Sequence, residues 1–347
     1  MKISSKSLII YIVAFVVISI ITLAVILRLT VCEQTWQQLA QFNTNYLILL
    51  AIAIILRWIF DGLSLLSLIN GNANLKINLW QAIKMRLKCI FVGIAVPVLL
   101  GSTAFQVYLL NREKVSLGES TAITSIRAIL PILLFVIFVP IFMLSGFQNG
   151  FEVFFAKFLK IVSLPIILSL FFFTLAVILP AWIKRMFCLL IKAIQKIKLF
   201  KIKSIDKAVS WFNTEIDRLH TSLSAYHKHG KWSLVQSLFW ILMMFLMEFS
   251  VAILILSGFG IKLPLLKAVV IQFLLKSFLY FAPTPGGSGI NEFSYMGFFT
   301  LYAPKYLVGI AVLMWRGLAY YVSVIFGGIF IIKENGIQRI IKTNLLQ

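Results

Sequence analysis

The sequence predicts an all-α integral membrane protein with six transmembrane helices and two broken or re-entrant helical elements. Of its 347 residues, 61% are hydrophobic and only 12% are charged, whereas a soluble domain has about 25% charged residues. Six apolar runs are long enough to cross about 30 Å of hydrocarbon. These runs cover residues 7–29, 45–69, 119–146, 157–182, 232–258 and 306–332. We expect residues 1–347 to form one transmembrane domain.

Two further apolar segments, 87–110 and 264–302, are interrupted by proline and glycine. The first contains Pro97 and Gly101, and the second contains Phe-Ala-Pro-Thr-Pro-Gly-Gly-Ser-Gly-Ile-Asn-Glu at 281–292. Proline removes a backbone donor and clashes with the preceding turn, so a continuous helix cannot pass through either segment. Irregular backbone at membrane depth occurs where it is buried in protein or lines a wet cavity. The pattern is typical of transporter binding sites.

Lysine and arginine predict the orientation, because cytoplasmic loops carry an excess of both. The net charge of +21 is concentrated at the N-terminus, in loops 70–88 and 183–231, and in the tail after residue 333. Loops 30–44 and 147–156 contain neither residue type. Both termini are therefore predicted to be cytoplasmic, and the two interrupted segments enter from opposite faces. No motif that reads bases accompanies the charge, so we expect no nucleic-acid partner.

Two halves, 45–182 and 232–333, each contain an interrupted segment followed by a long helix with one arginine near its start. This arrangement favours an inverted repeat. The basic segment 184–231 joins the halves, and its apolar pattern predicts an amphipathic element on the cytoplasmic membrane surface, in contact with anionic lipid. A solvated basic loop is the alternative. The three cysteines and three histidines show no metal spacing, so we expect no metal or other cofactor.

Several motifs resemble the flippase-like family that includes the transmembrane region of lysylphosphatidylglycerol synthases and related uncharacterised membrane proteins. The strongest match is Pro-Thr-Pro-Gly-Gly-Ser-Gly-Ile-Asn-Glu at 283–292, followed by Leu-Met-Trp-Arg-Gly-Leu-Ala-Tyr-Tyr at 313–321. Further matches are Phe-Gln-Val-Tyr-Leu-Leu at 105–110, the segment 115–122, the glycine pair 327–328 and Asp61. The loop 96–104 departs from the family in being less rich in glycine.

The resemblance implies a bacterial or archaeal cytoplasmic (inner) membrane protein that moves a lipid. The synthases also carry a large cytoplasmic aminoacyl-transferase domain, which these residues do not contain, so the resemblance does not imply an enzyme that makes the lipid. We expect a substrate-binding role for residues of the matched motifs and for the ionisable residues within the spans. These residues are Arg57, Asp61, Gln106, Arg127, Glu248, Lys276, Pro285, Gly286, Gly287, Gly289, Asn291, Glu292 and Arg316.

The ionisable residues also stand out on physical grounds, because a charge at membrane depth costs about 2.5 to 3.5 kcal/mol on insertion scales and usually faces a partner inside the bundle. Arg57 and Asp61 are four residues apart and could form an ion pair that a lipid phosphate exchanges, or a purely structural pair. Arg127 and Arg316 could grip phosphate through two parallel hydrogen bonds, although Arg127 could instead lie shallow and snorkel.

Glu248 and Glu292 have two roles open to them: proton carriers if transport is proton-coupled, or counter-ions for Arg57, Lys276 or Arg316. The glycines of the 281–292 motif expose backbone amides just before a predicted short helix, a position that favours an anion. The sequence therefore predicts a lipid flippase for a polar, anionic or phosphate-bearing headgroup.

Two alternatives from other classes remain open. One is a scaffold or regulator that docks a separate lipid-modifying enzyme on segment 184–231. The other is a membrane-embedded enzyme that uses Glu248 and Glu292 as an acid/base pair on a lipid-linked substrate. An oligomer is compatible with every one of these interpretations.

Overall fold

A computed structural model of the chain describes residues 5–72, 75, 77–95, 100–144, 167–168, 171, 205–228, 230–282 and 284–344. Those residues are almost entirely helical and contain no β-strand. The predicted all-α class is therefore confirmed for the part of the chain that the structure describes.

Twelve α-helices are described, and we number them in chain order. They are α1 Ser5–Thr30, α2 Glu33–Ala40, α3 Asn45–Asn72, α4 Leu79–Ala95, α5 Leu100–Arg112, α6 Leu117–Leu144, α7 Ile205–Lys228, α8 Lys231–Gly258, α9 Leu265–Leu279, α10 Ile290–Thr300, α11 Lys305–Arg316 and α12 Val322–Asn344. A 3₁₀ turn, Pro285–Gly287, lies between α9 and α10, and a π-helical segment, Gly317–Tyr321, joins α11 to α12.

The helices give four to five candidate membrane spans within the described residues, which differs from the predicted six with two re-entrant elements. Four are long and apolar enough alone: α3, α6, α8 and the continuous run Lys305–Glu334. Phe15–Thr30 of α1 passes the same test only together with α2, and the two helices meet at 99°. The predicted span 157–182 lies almost wholly outside the described residues, so it stays a prediction.

The second interrupted segment is broken as the sequence predicts. Helix α9 has 15 residues and α10 has 11, so at 1.5 Å per residue neither exceeds roughly 22 Å, less than the hydrocarbon thickness. Gly286, Gly287 and Gly289 between them have positive φ angles of 57°, 69° and 83°. Side chains other than glycine rarely adopt that region, so the sharp reversal depends on these glycines. The first interrupted segment comprises α4 and α5, and the junction 96–99 is not described.

The antiparallel pair α3 and α8 forms the most extensive helix contact of the fold. One end of the pair is held by Ser237, whose hydroxyl donates to the Ser64 carbonyl at 3.0 Å. At the other end the ring of Phe42 packs against Gly258. The halves of α3 and α8 that are predicted to lie on the cytoplasmic side form one hydrophobic core with α4, α5, α6, α7 and α9. Their other halves join a second core with α1, α9, α10 and α11. Arg57 on α3 and Glu248 on α8 lie where these two cores meet.

Helix α7 occupies part of the predicted basic segment 184–231 and packs against α6 rather than lying free. The Gly118 N–H donates to Glu215 Oε2 at 2.6 Å, and Tyr226 donates its hydroxyl to the Leu68 carbonyl. Residues 184–204, which include the start of the predicted amphipathic pattern, are not described. The predicted loop 70–88 is shorter than expected, because α4 already begins at Leu79.

The π-helical segment directly follows Arg316, within the motif that carries the family resemblance. Such segments are rare and are found mostly at functional sites. The Ala319 carbonyl accepts a hydrogen bond from Arg57 on α3 at 2.9 Å, so the distorted turn supplies an acceptor to a buried cation.

Replacing Gly118 by alanine should destabilise the fold. A Cβ at this position would lie 2.8 Å from the Leu219 nitrogen and closer still to the Glu215 carbonyl oxygen, and overpacking of this kind costs about 1–3 kcal/mol. We expect a lower unfolding temperature in detergent for Gly118→Ala.

The matched control is Gly297→Ala, because Gly297 lies within α10 and a Cβ there meets nothing within 4 Å. Alanine should leave stability unchanged or raise it by about 0.5–1 kcal/mol through helix propensity. Equal unfolding temperatures for the two variants would contradict the close packing of α6 on α7.

Candidate functional site

A cavity of about 210 Å³ lies beside the glycine turn, between α3, α8, α9, α10 and the π-helical segment. Its walls mix charged and aromatic side chains with glycine backbone. The lining residues are Arg57, Glu248, Lys276, Leu279, Ala282, Gly286, Gly287, Asn291, Tyr295, Trp315, Arg316, Ala319 and Tyr320. We call this space the charged cavity.

Glu248 on α8 joins two cations of the charged cavity. Its Oε1 is 2.6 Å from Lys276 Nζ on α9, and its Oε2 is 3.5 Å from Arg57 Nε on α3. Arg57 also donates to the Ser323 hydroxyl at 3.3 Å and to the Ala319 carbonyl. One carboxylate thus pairs with two partly buried cations, and a neutral carbonyl and hydroxyl accept the other hydrogen bonds of Arg57.

Arg316 at the end of α11 connects the π-helical segment to the glycine turn. Its Nη2 donates to the Gly286 carbonyl at 2.8 Å, and its Nε lies 2.8 Å from Glu292 Oε1. Glu292 also accepts the Gly289 N–H at 2.8 Å, which caps α10. The guanidinium lies over the Tyr320 ring at 4.2 Å. Because Arg316 and Glu292 are 2% and 0% exposed, this pair fixes the turn inside the protein.

Helix α1 covers the glycine turn. The hydroxyls of Ser19 and Ser288 are 2.8 Å apart, and both side chains are buried. The ring of Phe15 lies so close to Gly286 that a Cβ there would be 2.7 Å from it. Asn291 closes the other side of the turn by donating to the Gly287 carbonyl at 2.8 Å. Small residues at the turn therefore allow both α1 and α10 to approach its backbone.

Three N–H groups around the charged cavity have no hydrogen-bond acceptor among the described residues. They are Arg57 Nε, Trp315 Nε1 and Arg316 Nε, and the last approaches Glu292 without hydrogen-bond geometry. The three basic residues Arg57, Lys276 and Arg316 stand against the two carboxylates Glu248 and Glu292. These five side chains leave one net positive charge and spare donors, an arrangement that suits an anion.

A second group of charges surrounds Asp61, and we call it the Asp61 cluster (Asp61, Arg86, Gln106 and Arg127). Arg86 Nε lies 3.1 and 3.2 Å from the two oxygens of Asp61, and Arg127 Nη2 donates to the same carboxylate. Arg86 Nη1 donates to Gln106 Oε1 at 2.6 Å. The four residues come from α3, α4, α5 and α6, one from each helix.

The predicted site residues thus fall into two neighbouring groups. The charged cavity contains Arg57, Glu248, Lys276, Gly286, Gly287, Asn291 and Arg316, with Glu292, Gly289 and Pro285 in the adjoining turn and helix cap. Asp61, Gln106 and Arg127 lie in the Asp61 cluster instead. The expected Arg57–Asp61 ion pair is wrong: Asp61 pairs with Arg86 and Arg127, while Arg57 pairs with Glu248. Arg127 is 7% exposed and pairs internally rather than snorkelling.

Sequence reasoning missed Arg86 and the aromatic wall of the cavity. Arg86 falls in the predicted loop 70–88, because the apolar run 87–110 begins one residue after it. Ala82, Met85 and Cys89, all buried, recur at i, i+3 and i+7 with basic residues between them, which is the signal of a helix already in progress. Trp315 and Tyr295 stack with ring centroids 3.5 Å apart, and nothing in their spacing distinguishes them from ordinary core aromatics.

Comparisons with known proteins found one family and one relative over nearly the whole chain. A UPF0104 membrane protein from Archaeoglobus fulgidus is 24% identical over 318 residues, which cover 90% of this chain and 94% of the relative. No solved structure matches the chain. Residues 11–327 match the family described as the lysylphosphatidylglycerol synthase TM region, a match that includes the broken segment, the π-helical segment and both charged groups. The chain is therefore a multi-pass integral membrane protein that belongs to the lysylphosphatidylglycerol synthase TM region family.

Proposed function

We propose that this protein is a lipid flippase that moves a polar lipid with an anionic, phosphate-bearing headgroup between leaflets. The observation that carries the proposal is the charged cavity of about 210 Å³, where Arg57, Lys276 and Arg316 exceed the carboxylates Glu248 and Glu292 by one positive charge and three neighbouring N–H groups make no hydrogen bond among the described residues. Arginine binds phosphate oxygens through two parallel hydrogen bonds. The aromatic rings of Tyr295, Trp315 and Tyr320 form a rigid wall of the cavity.

The size of the cavity supports a headgroup and excludes a whole lipid. Pockets for drug-sized ligands are about 300–1,000 Å³, so 210 Å³ accommodates a phosphate with a small substituent. The acyl tails would remain in the bilayer while the headgroup occupies the charged cavity. Helices α1 and α9–α10 border the glycine turn, so their separation would open the cavity toward lipid.

The ion pairs favour transport over the enzyme alternative. An acid/base pair needs two groups that reach one reacting centre, whereas Glu248 is held by Lys276 and Glu292 by Arg316 and the Gly289 N–H. In the proposed cycle these carboxylates act as exchangeable counter-ions: the lipid phosphate takes their place beside the cations and leaves when they return. Such exchange needs no net charge to be created within the membrane.

Replacing Arg316 by alanine should lower lipid exchange between leaflets by roughly tenfold or more. A lost hydrogen bond to a charged group costs about 1.5–3 kcal/mol, and each 1.4 kcal/mol is a factor of about ten. The measurement is leaflet exchange in reconstituted vesicles with fluorescent phosphodiester, zwitterionic and isoprenoid-phosphate lipids. Arg316→Lys keeps the charge but not the planar fork, so it should fall between wild type and alanine.

Two further variants serve as controls for that measurement. Arg28→Ala changes an exposed arginine on α1 and should exchange lipid at the wild-type rate. The double variant Glu292→Gln/Arg316→Met removes both charges of the buried pair, so it should fold and still fail to transport. The proposed flippase would be overturned if the wild-type protein accelerated the exchange of no lipid, or if the double variant exchanged lipid at the full rate.

Replacing Glu248 by glutamine should destabilise the lipid-free protein, because Arg57 and Lys276 then lack their carboxylate. Removing one partner from a buried ion pair costs about 3–5 kcal/mol. A phosphodiester lipid added in detergent should raise the unfolding temperature of this variant by more than that of wild type, since the lipid supplies the missing negative charge.

The double variant Glu248→Gln/Lys276→Met restores the charge balance and should regain most of the lost stability while gaining less from lipid. Glu113→Gln, at an exposed loop position, is the control and should behave as wild type. A lipid effect of equal size in Glu248→Gln and wild type would show that the lipid does not exchange with this carboxylate.

A further inference from the structure

Among the residues that the structure describes, the Asp61 cluster carries one positive charge that no carboxylate balances. Two guanidiniums, Arg86 and Arg127, share one carboxylate, and arginine stays protonated in proteins. Asp61 and Arg127 lie within the apolar spans α3 and α6 and are 6% and 7% exposed. Among the described residues, the nearby carboxylate Glu248 is already shared between Arg57 and Lys276. A net charge buried in this way is costly unless a partner neutralises it.

Buried donors without acceptors accompany the charge. Gln106 Nε2, Arg127 Nε and Thr124 Oγ1 have no hydrogen-bond partner among the described residues, although Gln106 is 2% exposed and Thr124 is 3% exposed. Thr124 lies one helical turn before Arg127 on the same face of α6. Each unsatisfied buried donor costs about 1–3 kcal/mol.

The orientation of the Gln106 amide is fixed by its neighbour. Its Oε1 accepts from Arg86 Nη1 at 2.6 Å, and a flipped amide would set two donors against each other. Nε2, on the same amide group, is therefore left as a free donor beside the cluster. Arg127 Nε likewise belongs to a guanidinium that is already held at Asp61. The two spare nitrogens are donors and the Thr124 hydroxyl can donate as well, so one acceptor would satisfy all three.

We propose that the Asp61 cluster binds one small monovalent anion, of the size and chemistry of chloride. A single negative charge would neutralise the cluster, and Gln106, Arg127 and Thr124 would supply its hydrogen bonds. Asp61, Gln106, Thr124 and Arg127 are each less than a tenth exposed, which favours a small anion here over a headgroup with substituents. The site does not depend on the proposed lipid transport, because its charge and donors are present whether or not a lipid is moved.

The location of the site gives the anion an influence on the charged cavity. Asp61 and Arg57 lie four residues apart on α3, one helical turn from each other. An anion at the cluster would lower the positive potential that Arg57 and the cavity experience. Loss of the anion would leave the charged cavity and the Asp61 cluster with one net positive charge each. Occupancy of the anion site would therefore change how strongly the charged cavity attracts a lipid phosphate.

The test is the unfolding temperature of the full chain in detergent at constant ionic strength. Sodium chloride or bromide should raise the unfolding temperature over sodium gluconate by on the order of 2–4 °C, and the rise should grow with the logarithm of halide concentration. Gluconate is too large for the enclosed cluster. Equal unfolding temperatures in all three salts would overturn the proposal.

The variant Gln106→Glu supplies a built-in negative charge beside Arg86. It should abolish the halide dependence, and its unfolding temperature in gluconate should equal or exceed that of wild type in chloride. Gln37→Glu, at an exposed residue of α2, should keep the wild-type dependence. A Gln106→Glu protein that still responds to halide would place the anion elsewhere and overturn the assignment.

Chloride-35 line broadening on the wild-type protein provides a second measurement if Gln106→Glu does not fold. Broadening that bromide removes would support a halide site, and absence of broadening would overturn it. A short-chain phosphodiester lipid that removes the broadening as effectively as bromide would assign the cluster to lipid phosphate and overturn the small-anion site. Because these measurements need no transport, a failure of lipid exchange would not alter what they show about the anion.

Discussion

The need to neutralise charge inside an apolar bundle governs the arrangement of this protein's described helices. Asp61, Glu248 and Glu292 are each less than a tenth exposed, and each is tied to at least one basic side chain on another helix or on the far side of the glycine turn. An isolated charge at this depth would be expelled or would distort the bilayer. Each helix that carries a charge is therefore fixed against the helix that carries its partner.

The two hydrophobic cores and the ion pairs support one another. Helices α3 and α8 contribute one half to each core, and their charged residues Arg57, Asp61 and Glu248 lie where the halves join. Apolar packing holds the helices together without specifying their rotation, whereas the pairing of charges does specify it. Charged side chains interrupt the apolar packing at this junction, so a cavity for a ligand can form there.

The sequence predicted the helical class, the interruption at 281–292 and most of the buried charges, because each of these follows from local composition. It predicted the wrong partner for Asp61, since spacing along one helix favoured Arg57, whereas Arg86 and Arg127 reach Asp61 from α4 and α6. Pairing between helices depends on their relative rotation, which hydropathy does not contain. The described residues give four to five candidate spans, depending on whether the bent pair α1 and α2 is one span, and the predicted span 157–182 lies almost wholly outside them.

Irregular backbone explains how the charged cavity keeps a net positive charge. A basic side chain in a membrane would ordinarily be neutralised by a carboxylate, which would leave nothing for a ligand to neutralise. Here Glu248 is shared between Arg57 and Lys276, and Arg57 also donates to the Ala319 carbonyl of the π-helical segment. Arg316, which pairs with Glu292, likewise donates to the Gly286 carbonyl of the glycine turn. A backbone carbonyl has two lone pairs, so it can accept a side-chain N–H without bringing a negative charge to the cation. The two distortions thus stabilise arginines without cancelling their charge, which is the condition an anion-binding cavity requires.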